Sequence, residues 1–354
     1  MTTAPNPAAH PAARPHLRIA TEEAWAPKEI LDRWVTMLEN GTHNDPGFGS
    51  LWGFFGRSPT PRARDLVARL QDLGDRRLAD MDAAGIDMAI LSLTCPGVQL
   101  FDPDTAMQLA IASNDEVAAA VRAHPTRFAA LAAVAPHAPE ASAREIERAV
   151  KTLGLKGVIV NSHTQGFYMD DPKCWAIFEA CEAMDVPLYL HPNTPSPQMA
   201  EPFIPRCLDA AIYGFAVETG LHALRLIVAG VFDRFPKLKL VLGHLGEGLP
   251  YWLYRIDFMH GGIVANNRSP GVKPLLKKPS DYLRENVWYT CSGMPWEPAI
   301  TFCQHVIGQD RVMYAMDYPY QYVPDEVGMV ERLFVSPQVK RMFFETNART
   351  LFKV

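Results

Sequence analysis

Short apolar runs recur along the chain, each ending in a polar or glycine-bearing tail, and amphipathic stretches fill the gaps between them. The runs cover residues 17–20, 88–93, 128–134, 158–160, 187–190, 238–242, 287–290 and 312–316. They are too short for helices and show little apolar–polar alternation, so they predict strands buried on both faces. Helical spacing falls at 27–39, 62–84, 105–123, 139–153, 173–184, 199–234, 249–259 and 337–352. Within 62–84, Leu66, Leu70, Leu73, Leu78 and Met81 keep one face apolar. Gly154 stands where a helix would end on a left-handed residue. Eight strands alternating with helices predict an α/β fold, a (β/α)8 TIM barrel, with residues 17–354 as a single domain. A doubly wound sheet would carry GxGxxG after a strand, and none is present. Residues 41–61, rich in Gly, Pro and aromatics, read as a loop insertion after strand one, a candidate lid or subunit interface. Residues 261–278 read as a polar surface loop, and 1–16 as a disordered Ala/Pro tail.

Composition supports this picture and removes several function classes. The chain has 354 residues, 48% of them hydrophobic, enough for one large core. A net charge of −5 gives no global attraction to nucleic acid, so an anionic ligand would need local arginines. No apolar run approaches a membrane span, and the N-terminus lacks the apolar segment of a secretory signal, so no membrane partner is expected. The 6 cysteines are scattered without CxxC spacing and read as reduced thiols of a cytoplasmic protein.

A barrel gathers its strand ends on one face. The residues there would be Glu22, Thr94, His137, His163, His191, His244, Ser292 and Asp317. Asp317 closes an apolar run, and a carboxylate so placed is costly to bury without a cation, an ion partner or a substrate. It could also serve a turn before Pro319. Glu22 or Glu23 could sit at a helix N-terminus, and His191 could be a satisfied strand-end histidine. Taken together, Glu22, His191 and Asp317 suit a divalent cation, and an oxygen-rich set favours Mn²⁺ over Zn²⁺. GxSxG, P-loop and HExxH patterns are absent. His244 lies in GHLGEG, where Glu247 could orient its ring. Arg62 and Arg255 could be surface charges or anion binders, and Tyr318 and Tyr320 could line a ring pocket or simply pack.

The motifs RIATEEAW (18–25), SLWGF (50–54), NSHTQG (161–166), LYLHP (188–192), GFAVETG (214–220), GHLGEGLPYWLYR (243–255) and MYAMDYPYQY (313–322) narrow the reading. On them the chain resembles the metal-dependent, non-oxidative aromatic-acid decarboxylases of the amidohydrolase superfamily, from residue 17 to the end. The resemblance implies Glu22, His191 and Asp317 as metal ligands, and His244 as a site residue supported by Glu247. It implies Arg255 and Arg62 as carboxylate binders, and Thr94, Phe215 and Tyr320 against the substrate. Ala24 departs from the EEH-like pattern of the resorcylate-type members and matches the carboxyvanillate branch, implying conversion of 5-carboxyvanillate to vanillate and CO₂. The alternative is a metal-dependent amidohydrolase or lactonase on the same barrel. It is disfavoured because strand one has no HxH and strand four no lysine.

An ortho hydroxyl lets a ring carbon accept a proton and then release CO₂, so no organic cofactor is needed. Asp317 is the expected proton donor, with His244 assisting. A ligand carboxylate prefers to be ionised, so the two expected roles of Asp317 compete. Segments 41–61 and 199–226 are long enough to build an interface, and a homodimer or homotetramer is expected.

Overall fold

The computed structural model describes residues 14–354. Its parallel strands are β1 (Ile19–Trp25), β2 (Met88–Leu93), β3 (Phe128–Ala130), β4 (Ala132–Ala133), β5 (Val158–Asn161), β6 (Leu188–His191), β7 (Leu240–Leu242), β8 (Val287–Thr290) and β9 (Val312–Met313). They pair as β1-β2-β3 and as β4 through β9 in sequence order. β3 and β4 are halves of one strand, because the intervening Leu131 still donates its N–H to Leu91 O at 2.9 Å. The other seam is closed by Thr21 N–H to Tyr314 O at 3.1 Å and Ala24 N–H to Tyr318 O at 2.7 Å. The ring is therefore complete, as the (β/α)8 expectation requires.

Alternate residues of each strand enter different clusters. Leu91, Val160, Leu188, Leu190, Leu240 and Leu242 pack outward against helices. Ile90, Leu131, Ile159, Tyr189, Val241 and Met313 meet inside the barrel. This parity carries the next inward positions, His191, Gly243, Ser292 and Asp317, to the mouth.

Several boundaries differ from expectation. β1 runs on to Trp25, because its polar residues Thr21, Glu22 and Glu23 are all buried within the strand. It also carries a bulge: Ala20 pairs with Ala89 and Glu23 with Leu91, so Thr21 and Glu22 together face Ile90. The expected helix 62–84 is two helices, Pro61–Gln71 and Asp75–Ala84, parted where Asp72 accepts the N–H groups of Gly74 (2.9 Å) and Arg77 (3.1 Å). The insertion 41–61 holds a helix, Pro46–Phe55, N-capped by Asp45. That helix is anchored inward rather than free: Trp52 packs on Trp34 and donates its indole N–H to Cys95 O at 3.0 Å. The expected helix 199–234 is interrupted, its regular parts being Gly214–Val228 and Val231–Arg234. Residues 1–13 of the expected tail lie outside the described residues, whereas Arg14 pairs with Asp87 and His16 stacks on Phe344. The 6 cysteines are unpaired, and no described helix is long and apolar enough to cross a membrane.

Candidate active site

The bulge in β1 turns Glu22 into the barrel, where it is 2% exposed. One carboxylate oxygen, Oε2, accepts hydrogen bonds from the hydroxyls of Tyr189, Thr290 and Ser292. The other, Oε1, has no hydrogen-bond partner and lies 3.3 Å from His191 Nε2. Burial raises the Glu22 carboxyl, but the contact with His191 and the charges of His244 and His191 outweigh it and hold the group well below the carboxylate range. The tautomer of His191 follows from its other nitrogen: Nδ1 lies 2.8 Å from Pro192 O, and a carbonyl can only accept. With Nδ1–H directed to that carbonyl, Nε2 faces a carboxylate oxygen, and a proton or a cation between them joins the two. That pair fits a divalent ion.

His244 opens a turn in which five successive residues are left-handed: His244 (φ 49), Leu245 (55), Gly246 (83), Glu247 (55) and Gly248 (81). Each non-glycine member costs roughly 1–2 kcal/mol, a cost that the surrounding packing must offset. The turn places Glu247 Oε1 2.7 Å from His244 Nδ1, and the His244 N–H 3.2 Å from Ser292 Oγ. A Cβ on Gly246 would lie 2.5 Å from Tyr289 Cε1. Gly246→Ala is expected to destabilise the protein by about 2–5 kcal/mol, combining φ strain with overlap, as read by thermal and urea unfolding.

Burial would lower the His244 pKa, but the charge and hydrogen bond of Glu247 and the charges of Glu22 and Asp317 raise it to about 10. Since this lies above the unfolded value of 6.5, the stabilisation from the pair is complete below pH 6.5 and is lost as pH rises through about 10. Glu247→Gln should shrink that alkaline loss and move His244 titration down, leaving the part due to Glu22 and Asp317, as followed by imidazole NMR and by melting temperature against pH.

Asp317 has φ 67 and stands on the wall of a cavity of about 640 Å³, with Phe215, His244, Glu247, Gly293 and Trp296. Burial and the Glu22 charge raise its carboxyl to about 7. Among the described residues, no three His, Cys, Asp or Glu side chains are gathered as a metal cluster. Glu22 and His191 touch, while Asp317 is near His244, both within 3.5 Å of the point a Gly293 Cβ would occupy. Thr94 and Tyr320 are brought together, Oγ1 to OH at 2.6 Å, off that wall. Arg62 is exposed near the start of Pro61–Gln71. Arg255 is exposed on the helix Leu249–Ala265, in an adjoining hollow that shares Glu247 and Trp252 with the cavity. The cavity wall itself holds no arginine or lysine. The strand-end residues His137 and His163 are spent on backbone: His137 Nε2 meets Phe101 O at 2.9 Å, and His163 Nε2 meets Thr194 O at 3.0 Å.

An amidohydrolase family model matches residues 58–354. The chain belongs to this amidohydrolase family. The chain is 37% identical over 298 residues to the γ-resorcylate decarboxylase of Polaromonas sp., covering 82% of this chain and 90% of that protein. It is 53% identical to the 5-carboxyvanillate decarboxylase of Novosphingobium aromaticivorans, with a TM-score of 0.94 over 96% of this chain and 97% of that one. That structure holds manganese and 4-hydroxy-3-methoxy-5-nitrobenzoic acid. The 5-carboxyvanillate decarboxylase of Sphingomonas paucimobilis is 40% identical, with a TM-score of 0.90 over 96% of this chain and 99% of that one. The resemblance to aromatic-acid decarboxylases drawn from the motifs is thereby borne out.

Sequence reasoning missed Tyr189 and Thr290. Both hydroxyls bind Glu22. The available signal was strand parity: Tyr189 precedes His191 by two residues, and Thr290 precedes Ser292 by two, so each points inward with the strand end beyond it.

Proposed function

We propose that this enzyme is a carboxy-lyase that removes CO₂ from an ortho-hydroxy aromatic carboxylate without oxidation, converting 5-carboxyvanillate to vanillate. The observation that carries the reading is the split between two carboxyls at the barrel mouth. In the metal-free protein Glu22 is held ionised, while burial and the Glu22 charge raise Asp317 to about 7, so that of the two carboxyls it is Asp317 that can carry a proton. The relatives add support. The nitro group of the ligand in the Novosphingobium structure is a planar anion-like stand-in for the carboxylate that 5-carboxyvanillate bears at the same ring position.

Glu22, His191 and Asp317 would hold the metal, with Mn²⁺ favoured over Zn²⁺ by the oxygen-rich set and by the manganese of that relative. When bound, the ion supplies charge that neutralises and orients the phenolic and carboxylate oxygens. The Asp317 carboxyl, beside His244, donates its proton to the ring carbon that bears the carboxylate. The bond to the carboxylate then breaks, its electron pair restores the ring, and CO₂ departs. The imidazolium of His244, held by Glu247, returns a proton to Asp317 or binds the ring oxygen. Phe215 lines the cavity, whereas Thr94 and Tyr320, bonded to each other off its wall, are proposed to meet the substrate's polar edge only if that pair opens toward the ring. Arg62 and Arg255 are proposed as the carboxylate binders. Both lie off the cavity wall, so engagement requires their long side chains to be drawn in.

A homodimer or homotetramer is proposed, with 41–61 and 199–226 as candidate contacts and the helix Leu249–Ala265 as a further one. There Tyr251 (75% exposed), Tyr254 (83%) and Phe258 (68%) lie on one exposed apolar face. A single monomeric species in sedimentation at micromolar concentration would remove that proposal. The activity is tested by incubating Mn²⁺-loaded protein with 5-carboxyvanillate, γ-resorcylate and salicylate. Vanillate and CO₂ in equal amounts are expected from the first. Absence of turnover on all three overturns the reading.

A further inference from the structure

The bulge that turns Glu22 inward has a second consequence on the outer side of β1. With one extra residue in the strand, Glu23 points away from the cavity toward the helix Asp75–Ala84. In an unbroken parallel ladder, the N–H of Met316 would be taken by a backbone carbonyl of β1. Here it donates to Glu23 Oε1 at 2.9 Å, while the ladder is regular on either side, at Thr21–Tyr314 and Ala24–Tyr318. The Glu23 side chain thus stands in for a backbone acceptor between the strand that carries Glu22 and the segment that carries Asp317.

Arg77 braces the same spot from behind and is 1% exposed. Its Nη2 donates to Ala24 O at 2.8 Å and to Arg69 O at 3.1 Å, and its Nε to Asp72 O at 2.8 Å. Its guanidinium lies over the Tyr318 ring, 4.5 Å from the centroid. It therefore grips the residue just past the bulge and covers the residue just past Asp317. Glu23, Arg77, Met316 and Tyr318 line one small cavity of about 10 Å³, close to the room of one water molecule. Nη1 of Arg77 has no partner among the described side chains and backbone.

We propose that Glu23 and Arg77 are positioning residues for the metal-binding face, fixing the bulge so that Glu22 and Asp317 keep a set separation. This rests on the reading of Glu22, His191 and Asp317 as ligands. Neither residue lines the cavity that holds Asp317, so neither acts on substrate directly.

The test uses the full chain, comparing wild type with Glu23→Gln, Glu23→Ala, Arg77→Lys and Glu22→Gln. It measures metal-free melting temperature, Mn²⁺ dissociation constant, and kcat and KM at saturating Mn²⁺. Gln keeps the acceptor for Met316, so Glu23→Gln should bind Mn²⁺ within about threefold of wild type. Glu23→Ala should bind about 10–100-fold more weakly, the range for residues that orient ligands, with KM little changed once metal is saturating. Arg77→Lys keeps the charge and loses the fork, and should weaken Mn²⁺ binding about tenfold. A purely structural role would lower the metal-free melting temperature and leave the Mn²⁺ affinity of folded protein unchanged. Wild-type affinity in Glu23→Ala, or equal loss in Glu23→Gln and Glu23→Ala, overturns the proposal. If Glu23→Ala does not fold, wild-type affinity in Arg77→Lys overturns it instead. Equal Mn²⁺ binding by wild type and Glu22→Gln strikes the ligand assignment itself, whereas its loss in Glu22→Gln alone strikes only this inference.

Discussion

Asp317→Asn is expected to lower kcat on 5-carboxyvanillate by about 10²–10⁴-fold at full Mn²⁺ occupancy, the range for a lost general acid. Asn keeps an oxygen that can face a cation but has no proton to give, so it separates the two roles assigned to this residue. Asp317 feels the charges of Glu22, His244 and His191, and burial with the Glu22 charge raises its carboxyl to about 7. In the metal-free protein the group therefore samples both states near neutral pH, whereas a bound cation draws it toward the ionised one, so the donor role requires the carboxyl to take up its proton off the ion. Single-turnover kinetics with parallel metal analysis decides the matter. Normal turnover in metal-replete Asp317→Asn would sink the proposal, while a loss traced to missing metal would reassign the residue to ligation alone.

Glu22→Gln should weaken Mn²⁺ binding by more than about 100-fold, beyond what changes around the ligands cost, with activity partly restored by excess Mn²⁺. The reason is the asymmetry of the carboxylate. Oε2 is committed to three hydroxyl donors, and only Oε1 is free toward His191. An amide must put its NH₂ either among those donors or toward the cation, and both placements are unfavourable. Because the Glu22 pKa is depressed in the folded protein, its stabilisation is present above 4.5 and is lost as pH falls toward the much lower folded value. Glu22→Gln should lack that acid-side dependence. Calorimetric Mn²⁺ titration and melting temperature from pH 3 to 7 are the measurements; unchanged metal affinity would remove Glu22 from the ligand set.

The barrel was legible because buried parallel strands are written as apolar runs. His191 and Asp317 were legible because each ends such a run on an inward position. β1 was cut short because Thr21, Glu22 and Glu23 read as a polar exit, whereas hydroxyls and backbone groups from other strands satisfy them inside the sheet. Tyr189 was hidden by its apolar neighbours and reads as core until its hydroxyl finds Glu22. The left-handed turn was half visible: Gly246 and Gly248 announce it, but His244, Leu245 and Glu247 adopt the same φ sign against their own preference. Side-chain reach was not legible at all. Arg62 and Arg255 have the right chemistry, yet helix periodicity does not say whether either enters the cavity.

The absence of lysine and arginine from the cavity wall bears on the kinetic order of the reaction. The wall carries Glu247 and Asp317 against the single imidazolium of His244, on a chain of net charge −5. A dianionic ring approaching the metal-free protein meets repulsion, which added salt screens. Cation binding would offset the Glu22 and Asp317 carboxylates, so ordered addition, metal first and substrate second, is expected, as initial-rate kinetics with both varied would show. Apparent substrate affinity then tracks metal concentration until the site is filled, and raising substrate at low metal leaves the rate limited by metal loading.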